Sequence, residues 1–211
     1  MKREKVTRTR PRTLAELTRE NASLRKELSR LEVFRTLAYR DPLTGLWNRR
    51  YFEERWGEEL SRAERTPDRQ VSVMVIDVND LKVINDVHGH PTGDRVLAWV
   101  ATFLRSGVRA HDVCCRTGGD EFAVILPDVG RDGREMLIGR LRRALVDANS
   151  VQRPNVGLSI GAVSYPTDGR GAEELIERAD AAMYHDKRTQ KEKGEHTPLP
   201  VTMRPAFMFD T

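Results

Sequence analysis

The chain has 211 residues, 38% hydrophobic and 32% charged, with a net charge of +4. That composition suits one ordinary globular domain with an appendage. No apolar run approaches the roughly 20 residues needed to cross a bilayer, so no membrane-spanning helix is expected. The charge is uneven. Residues 1–40 hold 12 Lys/Arg against 5 Asp/Glu, a balance of +7, which leaves 24 against 27, or −3, for the remainder. The basic N-terminus lacks the apolar stretch of a secretory signal. The only cysteines, Cys114 and Cys115, are neighbours and would point to opposite faces of a strand. A disulfide between them is therefore not expected, and a cytoplasmic location is the natural reading.

Residues 1–12 read as a flexible basic arm, because Pro11 stops a helix from running back into them. From residue 13 to residue 40, Leu14, Leu17, Asn21, Leu24, Leu28, Leu31, Arg35 and Ala38 recur at spacings of three and four. This is a heptad seam with Asn21 and Arg35 at a-type positions, which predicts a parallel dimeric coiled coil. On spacing alone, one amphipathic helix packed on its own domain is the other reading. Asp41-Pro42-Leu43-Thr44-Gly45 breaks the pattern. Asn48 then caps a helix with Phe52, Trp56 and Leu60 on one face. Val71–Val78 reads as a strand buried on both faces. A short helix over 81–87, a loop over 88–94 and a longer helix over 94–107 follow.

Val113–Arg116 and Glu121–Leu126 read as two strands joined in a hairpin by Thr117-Gly118-Gly119-Asp120. A helix over 133–148, a strand over 155–165 and a helix over 172–187 complete the domain. Residues 192–211 read as a flexible tail. This order of elements implies an α+β sandwich, with helices packed on a sheet that contains antiparallel pairs. The ferredoxin-like split arrangement is the simplest match.

If the hairpin lies beside the 71–78 strand, Asp77, Asp120 and Glu121 converge at one edge of the sheet. Three uncompensated carboxylates repel, and a hard cation such as Mg²⁺ is the usual remedy. Two glycines would allow a tight turn and leave room for a ligand against the backbone. Lys82 could meet phosphate charge. Taken alone, acids at a hairpin tip are more often ordinary solvated turn chemistry, and Arg109 and Asp112 are an ordinary surface pair.

Gly118-Gly119-Asp120-Glu121-Phe122 resembles the signature of the GGDEF family, the diguanylate cyclases. It has company in the right order: DPLTGLWNRR at 41–50, D-x-N-x-L-K-x-x-N-D at 77–86, G-H-x-x-G-D at 89–94 and A-D-A-A-M-Y at 179–184. The resemblance covers residues 41–191. It implies a fold related to the polymerase palm, and condensation of two GTP into cyclic di-GMP with release of two pyrophosphates. It implies Mg²⁺, or Mn²⁺, held by Asp77, Asp120 and the Val78 carbonyl. Asp120 would take the 3′-hydroxyl proton, with Glu121 supporting the metal site. Lys82, Lys187 and Lys191 would meet phosphate, and Gly118 and Gly119 would line the substrate. Asn85 and Asp94 would read guanine, with His90 nearby.

By the same resemblance, Arg109 and Asp112 would form an inhibitory site for the product. Departures from the family pattern are Asn79 for a frequent Asp, Leu81 for a common Phe, and Lys191 for an Arg that usually grips phosphate. Lys191 keeps the charge but loses the fork. Because one site holds one GTP, the reaction needs a homodimer, and the 13–40 seam would supply it. Asp77, Asp120 and Glu121 are all present, which argues against a catalytically silent cyclic di-GMP receptor. A basic arm ahead of a heptad seam is also the layout of basic-zipper proteins, but Pro11 interrupts the continuous helix they need. No nucleic-acid partner is expected.

Overall fold

The computed structural model describes residues 13–151 and 155–193; the expected arm 1–12 and most of the expected tail fall outside the described residues. The chain divides into two compact units, the first ending at Ala38 and the second beginning at Tyr39.

The first unit is helical. Helix α1, Leu14–Tyr39, opens on a reciprocal cap: the Thr13 amide donates to Glu16 Oε2 at 2.7 Å, and the Glu16 amide donates to Thr13 Oγ1 at 3.3 Å. No residue of α1 is buried, and Leu14, Leu17, Leu24, Leu28 and Leu31 are exposed. Phe34 and Leu37, which lie off the seam, are exposed as well.

The second unit runs β1 Trp47–Asn48, α2 Arg49–Arg65, β2 Val71–Asn79, α3 Leu81–His88, α4 His90–Gly107, β3 Val113–Arg116, β4 Glu121–Pro127, α5 Arg131–Val151, β5 Gly157–Tyr165 and α6 Ala172–Glu192. The sheet order is β1-β3-β4-β2-β5. β2 pairs antiparallel with both β4 and β5, and β3 pairs antiparallel with β4. Setting β1 aside, this is the βαββαβ ferredoxin-like arrangement.

Strand alternation sorts the core into two layers. Met74, Ile76, Phe122, Val124, Leu158 and Ile160 join the cluster that contains α3 and α4 residues. Val73, Val75, Ala123, Ile125, Val163 and Tyr165 join the cluster that contains α2 and α6 residues. Cys114 lies in the first layer and Cys115 in the second, so the two thiols cannot meet. Burial, helped by the charge of Asp112, pushes Cys114 up to about 12, which keeps it neutral.

Several expectations are corrected here. The segment 88–94 is not a loop: Gly89, at φ +80°, is the only break between α3 and α4, and α4 starts at His90 rather than Asp94. Pro91 sits in the first turn, where its preset φ favours a helix and its missing N–H costs nothing. Strand β1, which pairs parallel with β3, was not expected, because two residues carry no periodicity. Helices α5 and α6 run longer than expected, and α6 continues to Glu192.

Candidate active site

Backbone pairing brings the acids together. The β2–β4 register sets Asp77 opposite Glu121, and the Val78 amide donates to the Asp120 carbonyl at 2.9 Å. Asp77 and Glu121 therefore share the sheet face that carries α2 and α6. Directly opposed like charges destabilise a strand pair, and a buried carboxylate must be paired. Asp77, whose side chain is only 10% exposed, is paired: Lys187 Nζ donates to its Oδ1 at 2.7 Å.

Lys187 is aimed by its neighbours on α6. Asp186 Oδ2 accepts from the Ile160 amide at 2.8 Å, so the helix clasps the open edge of β5. Gln190 Nε2 donates to the Leu158 carbonyl at 3.1 Å. Gln190 Oε1 accepts from Asn79 Nδ2 at 3.3 Å, while Asn79 Oδ1 accepts from Ser159 Oγ at 2.7 Å. Asn79 is thus a neutral, buried tie between β2, β5 and α6. Gly161 permits the close approach, since a Cβ there would strike the Ala179 carbonyl and the Met183 amide. Lys191 lies one turn beyond Lys187 and is exposed.

Beyond β2, Asp80 at φ +56° turns the chain sharply into α3. Lys82 is exposed on α3, and Leu81 is buried in the first core layer. Asn85 Oδ1 is buried without a hydrogen-bond partner and presses on Gly93, so a Cβ at 93 would collide with it. Asp94 follows Gly93, and His90 lies one turn before it; both are exposed. α3 and the start of α4 thereby bring Asn85 beside the Asp94 turn.

The expected tight turn is present, with the Thr117 and Gly118 amides both donating to the Glu121 carbonyl, but the two glycines are not there for an unusual backbone conformation. Neither adopts the left-handed region. A Cβ on Gly118 would come within 2.5 Å of Glu121 Oε2, whereas one on Gly119 would meet nothing within 4 Å. Gly118 makes room for Glu121, and Gly119 leaves open space at the tip. Among the described residues, the side chains of Asp120, Glu121, Lys82 and Asp94 make no hydrogen bond or ion pair.

No three His, Cys, Asp or Glu side chains are gathered as a ready metal cluster among the described residues. The donor chemistry nevertheless fits a hard cation. Asp77, Asp120 and the Val78 carbonyl offer only oxygen, and the near-buried Asp77 carboxylate already holds a positive charge.

Arg109 and Asp112 close a turn after α4. The Arg109 amide donates to Asp112 Oδ2 at 2.7 Å, so Asp112 binds backbone rather than the Arg109 guanidinium. Asp112 Oδ1 is buried and lacks a hydrogen-bond partner. Arg109 borders a groove of about 460 Å³ that Phe103, Leu141 and Arg140 also line. Arg140, on α5, is a residue the sequence reading missed. Its place on the groove depends on how α5 packs against α4, and Arg140 Nη2 donates to the Gly107 carbonyl at 2.6 Å.

Residues 38–193 match the family described as diguanylate cyclase, GGDEF domain. The chain belongs to that family. It is similar to the probable diguanylate cyclase DgcT of Escherichia coli, at 35% identity over 170 residues, 78% of this chain and 37% of that one. It is also similar to the response regulator PleD of Caulobacter vibrioides, at 39% over 156 residues, 72% of this chain and 34% of that one. The chain thus spans little more than a third of either relative. Among solved structures, the coiled coil and GGDEF domain of DgcB from Caulobacter crescentus, in complex with c-di-GMP, matches with a TM-score of 0.71. That match has 28% identity and covers 83% of this chain and 94% of that one. Among the described residues no helix is long and apolar enough to cross a membrane.

Proposed function

We propose that the chain is a cytoplasmic diguanylate cyclase that acts as a homodimer and joins two GTP into cyclic di-GMP, releasing two pyrophosphates. The observation that carries this reading is the backbone pairing of β2 with β4, which sets Asp77 opposite Glu121 and ties Val78 to Asp120, with the Lys187 ammonium on Asp77. Asp77, Asp120 and the Val78 carbonyl would hold Mg²⁺ or Mn²⁺, with Glu121 in support. Such a cation, when bound, offsets phosphate charge and makes the 3′-hydroxyl a better nucleophile.

The chain's own groups do the rest. The Asp120 carboxylate accepts the proton of the 3′-hydroxyl as its oxygen attacks the α-phosphorus of the opposing GTP. The bond to the β-phosphate oxygen breaks and pyrophosphate leaves. Lys82, Lys187 and Lys191 meet the phosphate charge. Asn85 and the Asp94 carboxylate meet guanine, whose N1–H and N2–H₂ donors suit a carboxylate acceptor; His90 stands one turn from Asp94. Gly118 and Gly119 keep the hairpin tip open to the nucleotide.

Two such sites must face each other, and the uncovered leucines of α1 suit a parallel coiled coil that holds residues 41–191 of two chains together. Arg109, Asp112 and Arg140 suit the product as an inhibitor: two cations for its phosphates and guanines, and one carboxylate oxygen that lacks a hydrogen bond and has the His111 imidazole nearby, at 3.7 Å.

The test is purified protein with GTP and Mg²⁺, products identified by mass, with Asp120→Ala alongside. Cyclic di-GMP from the parent and none from the variant is expected. A slowing as product accumulates, relieved by Arg109→Ala and by Arg140→Ala, is expected as well. No product from the parent even at high protein concentration, with tight cyclic di-GMP binding, would make the chain a receptor instead.

A further inference from the structure

The tip of the signature hairpin is held from two sides. On one side the Asp120 carbonyl accepts from the Val78 amide of β2. On the other, Arg116 Nη2 donates to the Gly119 carbonyl at 2.7 Å. The same guanidinium donates through Nη1 to both carboxylate oxygens of Asp41, each at 3.2 Å. Asp120 therefore stands between two held peptides: its own carbonyl is tied to the central strand, and the carbonyl of Gly119 before it is tied to the turn that opens the second unit. Packing does not hold Gly119: it is exposed, and no atom lies within 4 Å of where its Cβ would be.

The Asp41 end of the tie is rigid. Asp41 Oδ1 accepts from the Thr44 amide at 2.8 Å and from Thr44 Oγ1 at 2.6 Å. The Asp41 amide donates to the Leu46 carbonyl and the Gly45 amide to the Asp41 carbonyl, both at 2.9 Å, with Gly45 at φ +68° completing the turn. Arg40 bridges antiparallel to Trp47, with its guanidinium 3.4 Å from the indole centroid, and Trp47 stacks on Tyr51 at 3.9 Å. The side chains of Arg116 and Asp41 are 14% and 17% exposed, so water screens the pair weakly. Burial alone would raise the Asp41 pKa, but the hydrogen bonds from Thr44 and the nearby Arg116 charge outweigh it and lower it below the ordinary aspartate value.

We propose that Arg116 is a positioning residue for the reaction: its guanidinium transmits the geometry of the 41–46 turn to the Gly119 carbonyl and so sets where the Asp120 carboxylate stands. This rests on the cyclase reading above. Arginine is required because one planar group must reach a carboxylate and a carbonyl together, and an ammonium cannot span both in fixed directions. Chain movement at the 41–46 turn would then reach the hairpin without passing through the core of the sheet.

The test compares Arg116→Lys, Asp41→Asn and the double variant with the parent. Amide hydrogen exchange is read at residues 117–121 and in β2; turnover and the affinity for a non-hydrolysable GTP analogue with Mg²⁺ are read separately. Exchange at the tip should rise roughly tenfold or more in Arg116→Lys, with β2 from Val71 to Asp77 unchanged, because a charge-assisted contact is lost locally. Turnover should fall about 10- to 100-fold, as a small misplacement of a reacting group costs. Analogue affinity should change less than about threefold, since the base and phosphate contacts remain. The double variant should lose little beyond the worse single one, as expected for two ends of one tie.

Parent-like exchange at 117–121 in Arg116→Lys would overturn the proposal. So would faster exchange spread equally over β2, which marks a merely structural residue. If the parent makes no product, the cyclase reading fails by itself, and the exchange at the tip still decides whether Arg116 holds it.

Discussion

Gly93→Ala separates stability from nucleotide recognition at one position. An added methyl lands on Asn85 Oδ1, so the Asn85 side chain must leave its seat. Alanine in place of glycine inside α4 is worth about 1 kcal/mol of helix propensity. Moving Asn85 off its rotamer costs about 0.5–1.5 kcal/mol. The two nearly offset, so the melting temperature should move by less than about 5 °C. The guanine contact proposed for Asn85 has no such compensation. A displaced amide forfeits a hydrogen bond to guanine worth about 1–3 kcal/mol where the unmet group is buried, or roughly 5- to 150-fold in affinity. Thermal unfolding and titration with a non-hydrolysable GTP analogue measure the two quantities on the same protein. Unchanged affinity would refute the assignment of Asn85 to the base. A melting temperature lowered by 10 °C or more would refute the compensation argument.

Leu24→Pro should cut specific activity at low protein concentration while GTP binding per chain is largely kept, because it breaks α1 in the middle of the seam; activity that is unchanged on dilution would refute the dimer. Gly161→Ala should lower stability by about 1–3 kcal/mol or more, since its methyl would meet the backbone of α6 at Ala179 and Met183 and neither atom can rotate away; a parent-like thermal melt would refute the close packing. Asp168 is partly buried, which alone would raise its pKa, but the hydrogen bonds from Arg134 at 2.6 Å and the Ser164 amide at 2.8 Å, with the charges of Arg134 and Arg131, outweigh this and lower it. Its stabilisation is therefore complete above the ordinary aspartate range near pH 4 and is lost as pH falls through the depressed pKa. Asp168→Asn should be less stable than the parent at neutral pH, with the gap closing in acid; denaturant melts across pH check this, and a gap that does not close would refute it.

Much was legible because it repeats or has a strong local signature. The nearly unbroken apolar run 71–78 suits a doubly buried strand, and in the structure every residue of β2 is buried. Asn48 announced the start of α2 and does cap it, accepting from the Tyr51 amide at 3.1 Å. The acids at 77, 120 and 121 could be named from their motifs, and the hairpin between Arg116 and Glu121 from its glycines. Local pattern misled where two local rules conflict. Gly and Pro in HGHPTGD signal a loop, but Pro91 in a first turn favours a helix, and the packing of α4 on the sheet decided between them.

The sequence by itself determined most of the elements, the family and the identity of the acidic residues, because hydrophobic period and turn chemistry act over a few neighbours. Only the tertiary structure decided what those residues face. The pairing of Lys187 with Asp77 spans 110 positions, that of Arg116 with Asp41 spans 75, and Arg140 meets the Gly107 carbonyl 33 positions away. Glu59 sits on α2 at 1% exposure, held by Arg62 at 3.0 Å and Arg69 at 3.3 Å, although a glutamate in a charged helix reads as surface. Such partners are chosen by sheet register and helix packing, and a carboxylate taken out of water must find whatever cation the fold brings to it.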